Sequence, residues 1–354
     1  MSVCAAILAL EPYQGGKPIG ELQRELGLNN VVKLASNENP LPTNPKVIAA
    51  IEQAASEVGR YPDGNGFALK QALSQHLSVA PEMITLGNGS NDLLELIARA
   101  YICSSSDEVI FSEYAFVVYP LITQALGATA IITPAQNFGH NLTAMLLAIS
   151  KNTKLIFIAN PNNPTGTMLS DKELYEFLSK VTKRVIIVLD QAYIEYLGAA
   201  EKALEWLQEF DNLVITRTFS KAYGLAGLRV GYSICSVQIA DYLNRIRQPF
   251  NVNNIAQSAA IAALKDGEFM RKSVAQNQSG LSQLAQGFDE LGLEYIPSSA
   301  NFIALKVTDA KGLYHQLLQR GFIVRLVEMP NYIRVSVGTK NENGLFLNAL
   351  KLCL

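Results

Sequence analysis

The chain has 354 residues, of which 49% are hydrophobic and 17% are charged, and its formal net charge is −2 at pH 7. This composition is typical of a globular protein, and the length predicts two domains of unequal size. Because there is no excess of basic residues, we expect no nucleic-acid partner. No apolar run approaches the ~18 residues of a membrane span, and no basic residues precede the short apolar run 3–10 as they would in a signal peptide. We therefore expect a soluble protein of the cytoplasm that does not bind a membrane.

The cysteines and histidines indicate neither a disulfide framework nor a metal site. The cysteines are widely spaced and form no Cys-x-x-Cys pair, which favours reduced thiols. The histidines are scattered, and each is predicted to be a surface or packing residue rather than a metal ligand. These residues are Cys4, Cys103, Cys235, Cys353, His76, His140 and His315.

Residues 1–45 are predicted to form an N-terminal arm. Prolines and glycines interrupt this stretch, and one helix is predicted at residues 19–26. We expect an irregular segment of this kind to lie on another surface.

Residues 46–248 are predicted to form a large α/β domain around a mainly parallel sheet. Short apolar strands alternate with helices, and several strands are continuously apolar and β-branched, as expected when both faces are covered. The predicted helices are 46–58, 68–77, 91–101 and 239–247. The predicted strands are 83–86, 108–111, 129–133, 155–159, 185–189 and 213–216.

Residues 249–354 are predicted to form a smaller C-terminal α+β domain. Long helical patterns come first and are followed by two strands with a helix between them. The predicted helices are 256–264, 269–290 and 312–320, and the predicted strands are 302–307 and 332–337.

The segment 87–92, Gly-Asn-Gly-Ser-Asn-Asp, links a predicted strand to a predicted helix. The first turn of a helix has N–H groups without partners and the positive end of the helix dipole, so it can bind an anion. We interpret Gly89, Ser90 and Asn91 as a phosphate-binding turn; an ordinary tight turn with a helix cap is the alternative. The segment lacks the third glycine of a dinucleotide-binding loop and the Gly-Lys-Ser/Thr of a P-loop.

Two further loops follow strands that are predicted to be buried. Segment 160–166 leaves the carboxyl end of a strand, where ligands bind in open sheets, and Asn163 is a candidate donor to a cofactor ring oxygen; a proline-built turn is the alternative. Asp190 follows the next strand, where an unpaired carboxylate is costly. A protonated pyridine nitrogen is a suitable partner for Asp190, and Tyr193 can donate to the ring oxygen. A helix cap is the alternative for Asp190.

Lys221 lies in a segment suited to a phosphate-bearing aldehyde. Ser220 precedes it, small residues follow it, and Arg229 comes eight positions later. The lysine amine can form a Schiff base with an aldehyde, and an arginine can hold a phosphate by two bonds. A solvated surface lysine is the alternative when Lys221 is taken alone. The order of the four segments nevertheless predicts a pyridoxal phosphate (PLP) site: phosphate turn, ring-oxygen asparagine, ring-nitrogen aspartate, and lysine.

Residues 218–227 resemble the lysine signature of class-II PLP-dependent aminotransferases, and the whole chain resembles the histidinol-phosphate aminotransferases. The segments that carry this resemblance are 33–40, 60–64, 163–166, 218–227 and 334–338. The resemblance implies the fold-type-I aminotransferase architecture, PLP as cofactor and a homodimer with shared active sites.

The resemblance also assigns roles to the residues around the cofactor. It makes Lys221 the Schiff-base lysine and general acid/base, pairs Asp190 with the pyridine nitrogen, and places Tyr193 and Asn163 on the ring oxygen. Phe116 falls where the family stacks an aromatic ring on the cofactor; plain core packing is the alternative. The family's phosphate-binding positions correspond to Ser90, Asn91, Ser220, Arg229 and, from the partner subunit, Tyr61.

Three residues are candidates for substrate binding. Arg325 and Arg334 lie in apolar, strand-like sequence, where a charge needs a partner, either an anionic substrate group or a structural carboxylate. By resemblance these arginines bind the substrate phosphate, and Arg334 also binds the carboxylate of the second substrate. Tyr13 matches the arm tyrosine that closes over the substrate; packing is the alternative.

The resemblance implies transamination between L-histidinol phosphate and 2-oxoglutarate, which gives imidazole acetol phosphate and glutamate in histidine biosynthesis. An aromatic amino-acid aminotransferase and a PLP-dependent decarboxylase of a phosphorylated amino acid are alternatives on the same scaffold. A PLP-sensing transcription regulator would need a DNA-binding domain that residues 1–45 do not supply. The missing glycine fingerprint argues against a nicotinamide-dependent dehydrogenase.

Overall fold

The computed structural model covers residues 3–12, 15–198 and 202–354. Its helices are α1 (Ala5–Leu8), α2 (Ile19–Leu26), α3 (Pro45–Ala55), α4 (Phe67–Leu77), α5 (Ser90–Tyr101), α6 (Val118–Ala125), α7 (Leu142–Leu147), α8 (Asp171–Leu178), α9 (Ala203–Trp206), α10 (Val237–Ile246), α11 (Asn254–Leu264), α12 (Gly267–Glu290), α13 (Ala310–Gln319) and α14 (Lys340–Lys351). Its strands are β1 (Val32–Lys33), β2 (Ile84–Gly87), β3 (Glu108–Ser112), β4 (Thr129–Thr133), β5 (Thr153–Ala159), β6 (Ile186–Asp190), β7 (Leu213–Thr218), β8 (Gly231–Cys235), β9 (Tyr295–Ile296), β10 (Phe302–Lys306), β11 (Phe322–Ile323), β12 (Arg325–Leu326) and β13 (Tyr332–Ser336).

The central sheet has seven strands in the order β2-β8-β7-β6-β5-β3-β4. The pairs formed by β7, β6, β5, β3 and β4 are parallel, whereas β8 is antiparallel to both of its neighbours. The predicted α/β class with a mainly parallel sheet is therefore confirmed.

Helices cover both faces of this sheet. Along β5, Leu155 and Phe157 pack into the core on one face, and Ile156 and Ile158 pack into the core on the other. This alternation is the two-residue period of a strand, and burial on both faces explains why the strand is almost continuously apolar. One core includes residues of α5 and α10, and the other includes residues of α4, α8 and α11.

A second, antiparallel sheet has the order β12-β13-β10-β9. Its core is a third cluster to which α12, α13 and α14 contribute Phe288, Leu317 and Phe346. Strand β1 pairs in parallel with β11, and Leu34 packs into the same cluster. The segment that follows α2 is therefore anchored on the C-terminal part of the chain.

The predicted elements are present within a few residues of their predicted bounds, and α2 and β4 have the predicted bounds. Strand β8 was not predicted, because its Gly-Tyr-Ser-Ile-Cys sequence begins like a turn. The glycine is required by packing: a Cβ at Gly231 would lie 2.6 Å from the backbone nitrogen of Ser90. No bounds were predicted for α1, α6–α9 and α14 or for the two-residue strands β1, β9, β11 and β12 either. Helix α11 packs against α3 and α4.

None of the helices in the described part of the chain is long and apolar enough to cross a membrane.

Candidate active site

The turn after β2 and the loops after β5, β6 and β7 open into one cavity of about 270 Å³. The sheet brings these segments together because the carboxyl ends of parallel strands lie at the same edge. Most of the predicted site residues line this cavity: Ser90, Asn91, Phe116, Asn163, Asp190, Tyr193, Ser220, Lys221, Arg229 and Arg334.

Asp190 is the last residue of β6 and is only 4% exposed. Its carboxylate accepts hydrogen bonds from the Tyr119 hydroxyl at 2.9 Å and the Thr216 hydroxyl at 3.2 Å. Burial raises the pKa of Asp190 to about 6, and the two hydroxyl donors oppose that rise. A buried carboxylate of this kind is stabilised by a cation within hydrogen-bonding distance.

Lys221 lies in the loop beyond β7, and its Nζ donates to the carbonyl oxygen of Ser36 at 3.1 Å. The same nitrogen lies 5.7 Å from the centre of the Tyr193 ring. Burial, and then the charge of Arg334, lower the pKa of Lys221 to about 7. Much of this amine is therefore unprotonated at neutral pH, which is the form that acts as a nucleophile or accepts a proton.

Hydrogen-bond donors converge at one end of the cavity. Helix α5 begins at Ser90, after Gly89 with φ +79°. The Arg229 Nη1 donates to the Ser220 hydroxyl at 3.2 Å, and a Cβ at Gly89 would collide with the Arg229 Nη2. A helix N-terminus, two serine hydroxyls and a guanidinium together form a suitable site for a phosphate group.

Tyr193 and Asn163 approach the cavity from different loops and are both buried. The Tyr193 hydroxyl oxygen accepts a hydrogen bond from Asn37 Nδ2 at 3.0 Å. The Asn163 side-chain oxygen accepts from Arg334 Nη1 at 2.6 Å, so Asn163 also helps to hold that arginine. Phe116 is half-buried at the cavity wall, where it can contact a planar ring.

The two predicted substrate arginines lie on adjacent strands of the second sheet. Arg325 pairs directly with Arg334 in the β12–β13 register, so both side chains are on the same face. Arg334 is 8% exposed, its Nη2 donates to the Ala35 carbonyl oxygen at 2.7 Å, and its guanidinium lies 5.1 Å from the centre of the Phe302 ring. Both arginines line a second cavity of about 130 Å³, which shares Phe116, Asn163 and Arg334 with the first.

Comparison with known proteins decides the family. The family model described as aminotransferase class I and II matches residues 29–350. The histidinol-phosphate aminotransferase of Methylobacillus flagellatus is 54% identical over an alignment of 355 positions that covers 98% of this chain and 96% of that protein. The chain belongs to the histidinol-phosphate aminotransferase family. A second member, histidinol-phosphate aminotransferase 1 of Idiomarina loihiensis, is 52% identical over 348 residues, covering 97% of this chain and 95% of that protein.

Solved structures agree with this family and with its fold. The crystal structure of histidinol-phosphate aminotransferase from Sinorhizobium meliloti in complex with pyridoxal-5′-phosphate has a TM-score of 0.91 at 28% identity, over 99% of this chain and 97% of that one. A single mutant of Thermus thermophilus aspartate aminotransferase has a TM-score of 0.85 at 21% identity, over 100% of both chains. The latter likeness extends the shared fold beyond the histidinol-phosphate aminotransferases.

Tyr61, which was predicted from the family resemblance, lines neither of these two cavities. Tyr61 is 82% exposed, and its ring stacks on Phe250 with 4.6 Å between the ring centres. Tyr13 lies outside the described residues. A contact between Tyr61 and a cofactor phosphate, as the family resemblance implies, therefore stays a prediction.

Sequence reasoning missed several residues that contact the predicted site residues. Tyr119 is fully buried, and it reads as one more apolar position of α6 because its hydroxyl partner lies 71 positions away. A tyrosine in an apolar helix is a signal for a buried hydrogen bond, since its hydroxyl needs a partner. Ser36 and Asn37 lie in segment 33–40, which carries the family resemblance. No role was assigned to them or to Thr216, because their contacts depend on how separate segments pack.

Proposed function

We propose that this protein is a PLP-dependent aminotransferase that moves an amino group between L-histidinol phosphate and 2-oxoglutarate, giving imidazole acetol phosphate and glutamate, in histidine biosynthesis. The observation that carries this proposal is that one cavity is lined both by Lys221, whose pKa is lowered to about 7, and by the buried carboxylate of Asp190. The full-length similarity to proteins named histidinol-phosphate aminotransferase supports it.

The residues of the cavity fit pyridoxal phosphate. The buried carboxylate of Asp190 is suited to a protonated pyridine nitrogen, and the helix N-terminus with Ser220 and Arg229 is suited to the phosphate. Lys221 provides an amine that is partly neutral at physiological pH. When bound, the cofactor supplies the electron sink that draws electrons from the α-carbon of the substrate.

The side chains of the cavity bind and orient the reacting groups. Asp190 keeps the ring nitrogen protonated, and Tyr193 and Asn163 hold the ring oxygen. Phe116 packs on the ring face. Ser90, Asn91, Ser220 and Arg229 bind the phosphate, and Gly89 lets Arg229 approach the turn.

Lys221 Nζ moves the proton of the reaction. In its neutral form it would accept a proton from the α-carbon of the bound amine, and in its charged form it would deliver that proton to carbon C4′ of the cofactor. Arg334 lowers the pKa of Lys221 by charge repulsion, so the same arginine that contacts substrate also favours the basic form of the lysine. A general base placed in this way contributes about 10²–10⁴-fold in rate.

The second cavity supports a phosphorylated amine as the substrate. Arg325 and Arg334 present two cations on one face of the sheet, which suits a phosphate with two negative charges. Tyr114 and Phe116 line the same cavity, so an aromatic amino acid is the second candidate substrate.

We also propose the organisation and assembly of the protein. Residues 1–45 form an arm, 46–248 a large PLP-binding domain and 249–354 a small domain, with α11 packed against the large one. Two chains form a homodimer in the cytoplasm, in which Tyr61 reaches the cofactor phosphate of the partner and Tyr13 closes over the substrate. The large exposed surface of Tyr61 supports such a contact.

An absorbance experiment tests this function. The purified protein is mixed with PLP, and L-histidinol phosphate or L-phenylalanine is then added without a keto acid. We expect a yellow band from lysine-bound PLP that histidinol phosphate bleaches rapidly and phenylalanine bleaches slowly. Faster bleaching by phenylalanine would assign the enzyme to the aromatic class, and absence of a band would contradict PLP binding. Release of glutamate but not carbon dioxide, after 2-oxoglutarate is added, excludes the decarboxylase.

A further inference from the structure

Residues 35–37 contact three of the side chains on which the proposed function depends. The first carbonyl of this segment accepts a hydrogen bond from Arg334 at 2.7 Å, and the second accepts from Lys221 at 3.1 Å. The side chain of Asn37 then donates to the Tyr193 hydroxyl at 3.0 Å. One short segment thus contacts the substrate arginine, the proton-transferring lysine and the ring-oxygen tyrosine.

Asn37 is buried, and hydrogen bonds hold its backbone in a left-handed conformation. It is 1% exposed and has φ +55°, a left-handed conformation that asparagine adopts more readily than most residues with a side chain. Its backbone N–H donates to the Ser336 hydroxyl at 2.8 Å, and its carbonyl oxygen accepts from Asn301 at 3.0 Å. These contacts fix the backbone of Asn37 on the C-terminal part of the chain.

The Ser336 hydroxyl also determines which end of the Asn37 amide faces Tyr193. This hydroxyl accepts from the Asn37 N–H and donates its own proton to the Asn37 side-chain oxygen at 2.8 Å. The amide nitrogen is therefore left to donate to the Tyr193 oxygen. Because this bond uses a lone pair of the phenol oxygen, it does not consume the phenol proton.

We propose that Asn37 is a positioning residue that orients the Tyr193 phenol toward the cofactor ring oxygen, with Ser336 fixing the Asn37 amide. This inference rests on the PLP-binding function proposed above. Ser336 and Arg334 are two positions apart on β13 and therefore lie on the same face of the strand. The strand that carries the substrate arginine also carries the hydroxyl that fixes Asn37, so a shift of this strand changes both contacts together.

A double-mutant cycle on the holoenzyme tests the proposal without turnover. The pH midpoint of the absorbance change of bound PLP is measured for wild type, Asn37→Gly, Tyr193→Phe and the double variant. Glycine is used because it tolerates φ +55°. We expect Asn37→Gly to move the midpoint in the same direction as Tyr193→Phe. The expected shift is about 0.3–1 pH unit, which corresponds to the free energy of one hydrogen bond. We expect the double variant to match Tyr193→Phe alone. The charges around Lys221, which are Arg334, Glu38, Arg229 and Asp190, are the same in all four proteins.

The alternative outcomes are distinct from one another. A wild-type midpoint in Asn37→Gly, or an equal shift in both backgrounds, would overturn the proposal, because Asn37 would then not act through the Tyr193 oxygen. Asn37→Ala is the matched control. We expect its pH midpoint to equal that of Asn37→Gly and its melting temperature to be lower than that of Asn37→Gly, since alanine is strained at this φ. A shift in Asn37→Ala but not in Asn37→Gly would assign the effect to backbone strain and overturn the role of the amide. A wild-type protein with no PLP band would overturn both this inference and the proposed function, whereas a preference for another amine would leave the inference intact.

Discussion

The cofactor half and the substrate half of the candidate site are built in different ways. The cofactor half consists of the side chains at the carboxyl edge of the central sheet, among them Asp190, Ser220 and Arg229. These side chains are held by hydrogen bonds within the chain, such as those from Tyr119 to Asp190 and from Arg229 to Ser220. Asp190 ends β6, Ser220 follows β7 and Arg229 lies just before β8, so the ends of the central strands determine their places.

The substrate half consists of Arg325 and Arg334 on the second sheet, the segment 35–37, and the proposed contribution of Tyr13. These groups come from parts of the chain that are distant in sequence and meet only through tertiary packing. The difference indicates that the ends of secondary structure place the proposed cofactor-binding residues, whereas the proposed substrate-binding residues depend on how the second sheet and residues 35–37 pack against the central sheet.

The largest expected effect is in the cofactor half. Lys221→Ala removes the amine that moves the proton, so we expect turnover to fall by at least about 10⁴-fold, at the upper end of what a general base contributes. PLP should still bind, because the contacts to its phosphate and ring nitrogen remain. Steady-state turnover and PLP content measure the two effects. Lys172→Ala, at an exposed lysine of α8, should behave as wild type; steady turnover by Lys221→Ala within tenfold of wild type would contradict the assignment.

A second variant tests whether turn geometry determines phosphate binding. Gly89→Ala forces a Cβ against the Arg229 guanidinium and strains a backbone with φ +79°, so we expect PLP affinity to fall about 10–100-fold. Gly227→Ala is the control near Arg229 in sequence, since nothing lies within 4 Å of its Cβ and its φ is not positive. Absorbance titration with PLP measures both. Equal affinities for the two variants would show that Arg229 does not need the space beside Gly89.

The sequence was sufficient to predict most of the cofactor half. Asp190 and Lys221 follow buried strands, and the phosphate turn joins a strand to a helix, so strand periodicity and glycine placement locate them. Strand β8 was missed because Gly231 reads as a turn residue, although the glycine is needed for contact with the α5 N-terminus. Local sequence cannot report such a contact, since the atoms involved come from a segment about 140 positions earlier.

The hydrogen bonds that support the site could not be predicted for the same reason. Tyr119 and Thr216 reach Asp190 from 71 and 26 positions away, and Asn37 reaches Tyr193 from 156 positions away. Sequence indicates that a buried carboxylate needs donors, but the fold decides which hydroxyls supply them. The role proposed for Tyr61 requires a second chain in addition.

A third variant examines the substrate half. Arg325→Ala removes one cation from the second cavity, so we expect KM for the phosphorylated amine to rise about 10–100-fold with little change in kcat. KM for phenylalanine should not rise, because this substrate has no phosphate. Arg334→Ala should lower kcat as well, since Arg334 also holds Asn163 and lowers the pKa of Lys221. An equal rise in KM for both amines would show that Arg325 does not recognise the substrate phosphate.

The smallest expected effect concerns the stability of the apoprotein and returns to Asp190. Its pKa is about 6 in the folded chain against an ordinary value of 3.8, so between these values the folded state binds more protons than the unfolded state. Wild-type stability therefore falls as the pH rises from about 4 to about 6 and stays reduced above that. Asp190→Asn has no ionisable group at this position, so we expect the free energy of unfolding to be about 1–3 kcal/mol higher than wild type above pH 6, with no difference near pH 4. Denaturant unfolding of the apoproteins at several pH values measures this difference.

In the presence of PLP at pH 7, wild type should be more stable than Asp190→Asn, because the wild-type carboxylate then gains the ring nitrogen as its partner and asparagine does not. A gain that is independent of pH would show that the ionised carboxylate is not what destabilises the apoprotein, and the cofactor half would then not be organised around a buried charge.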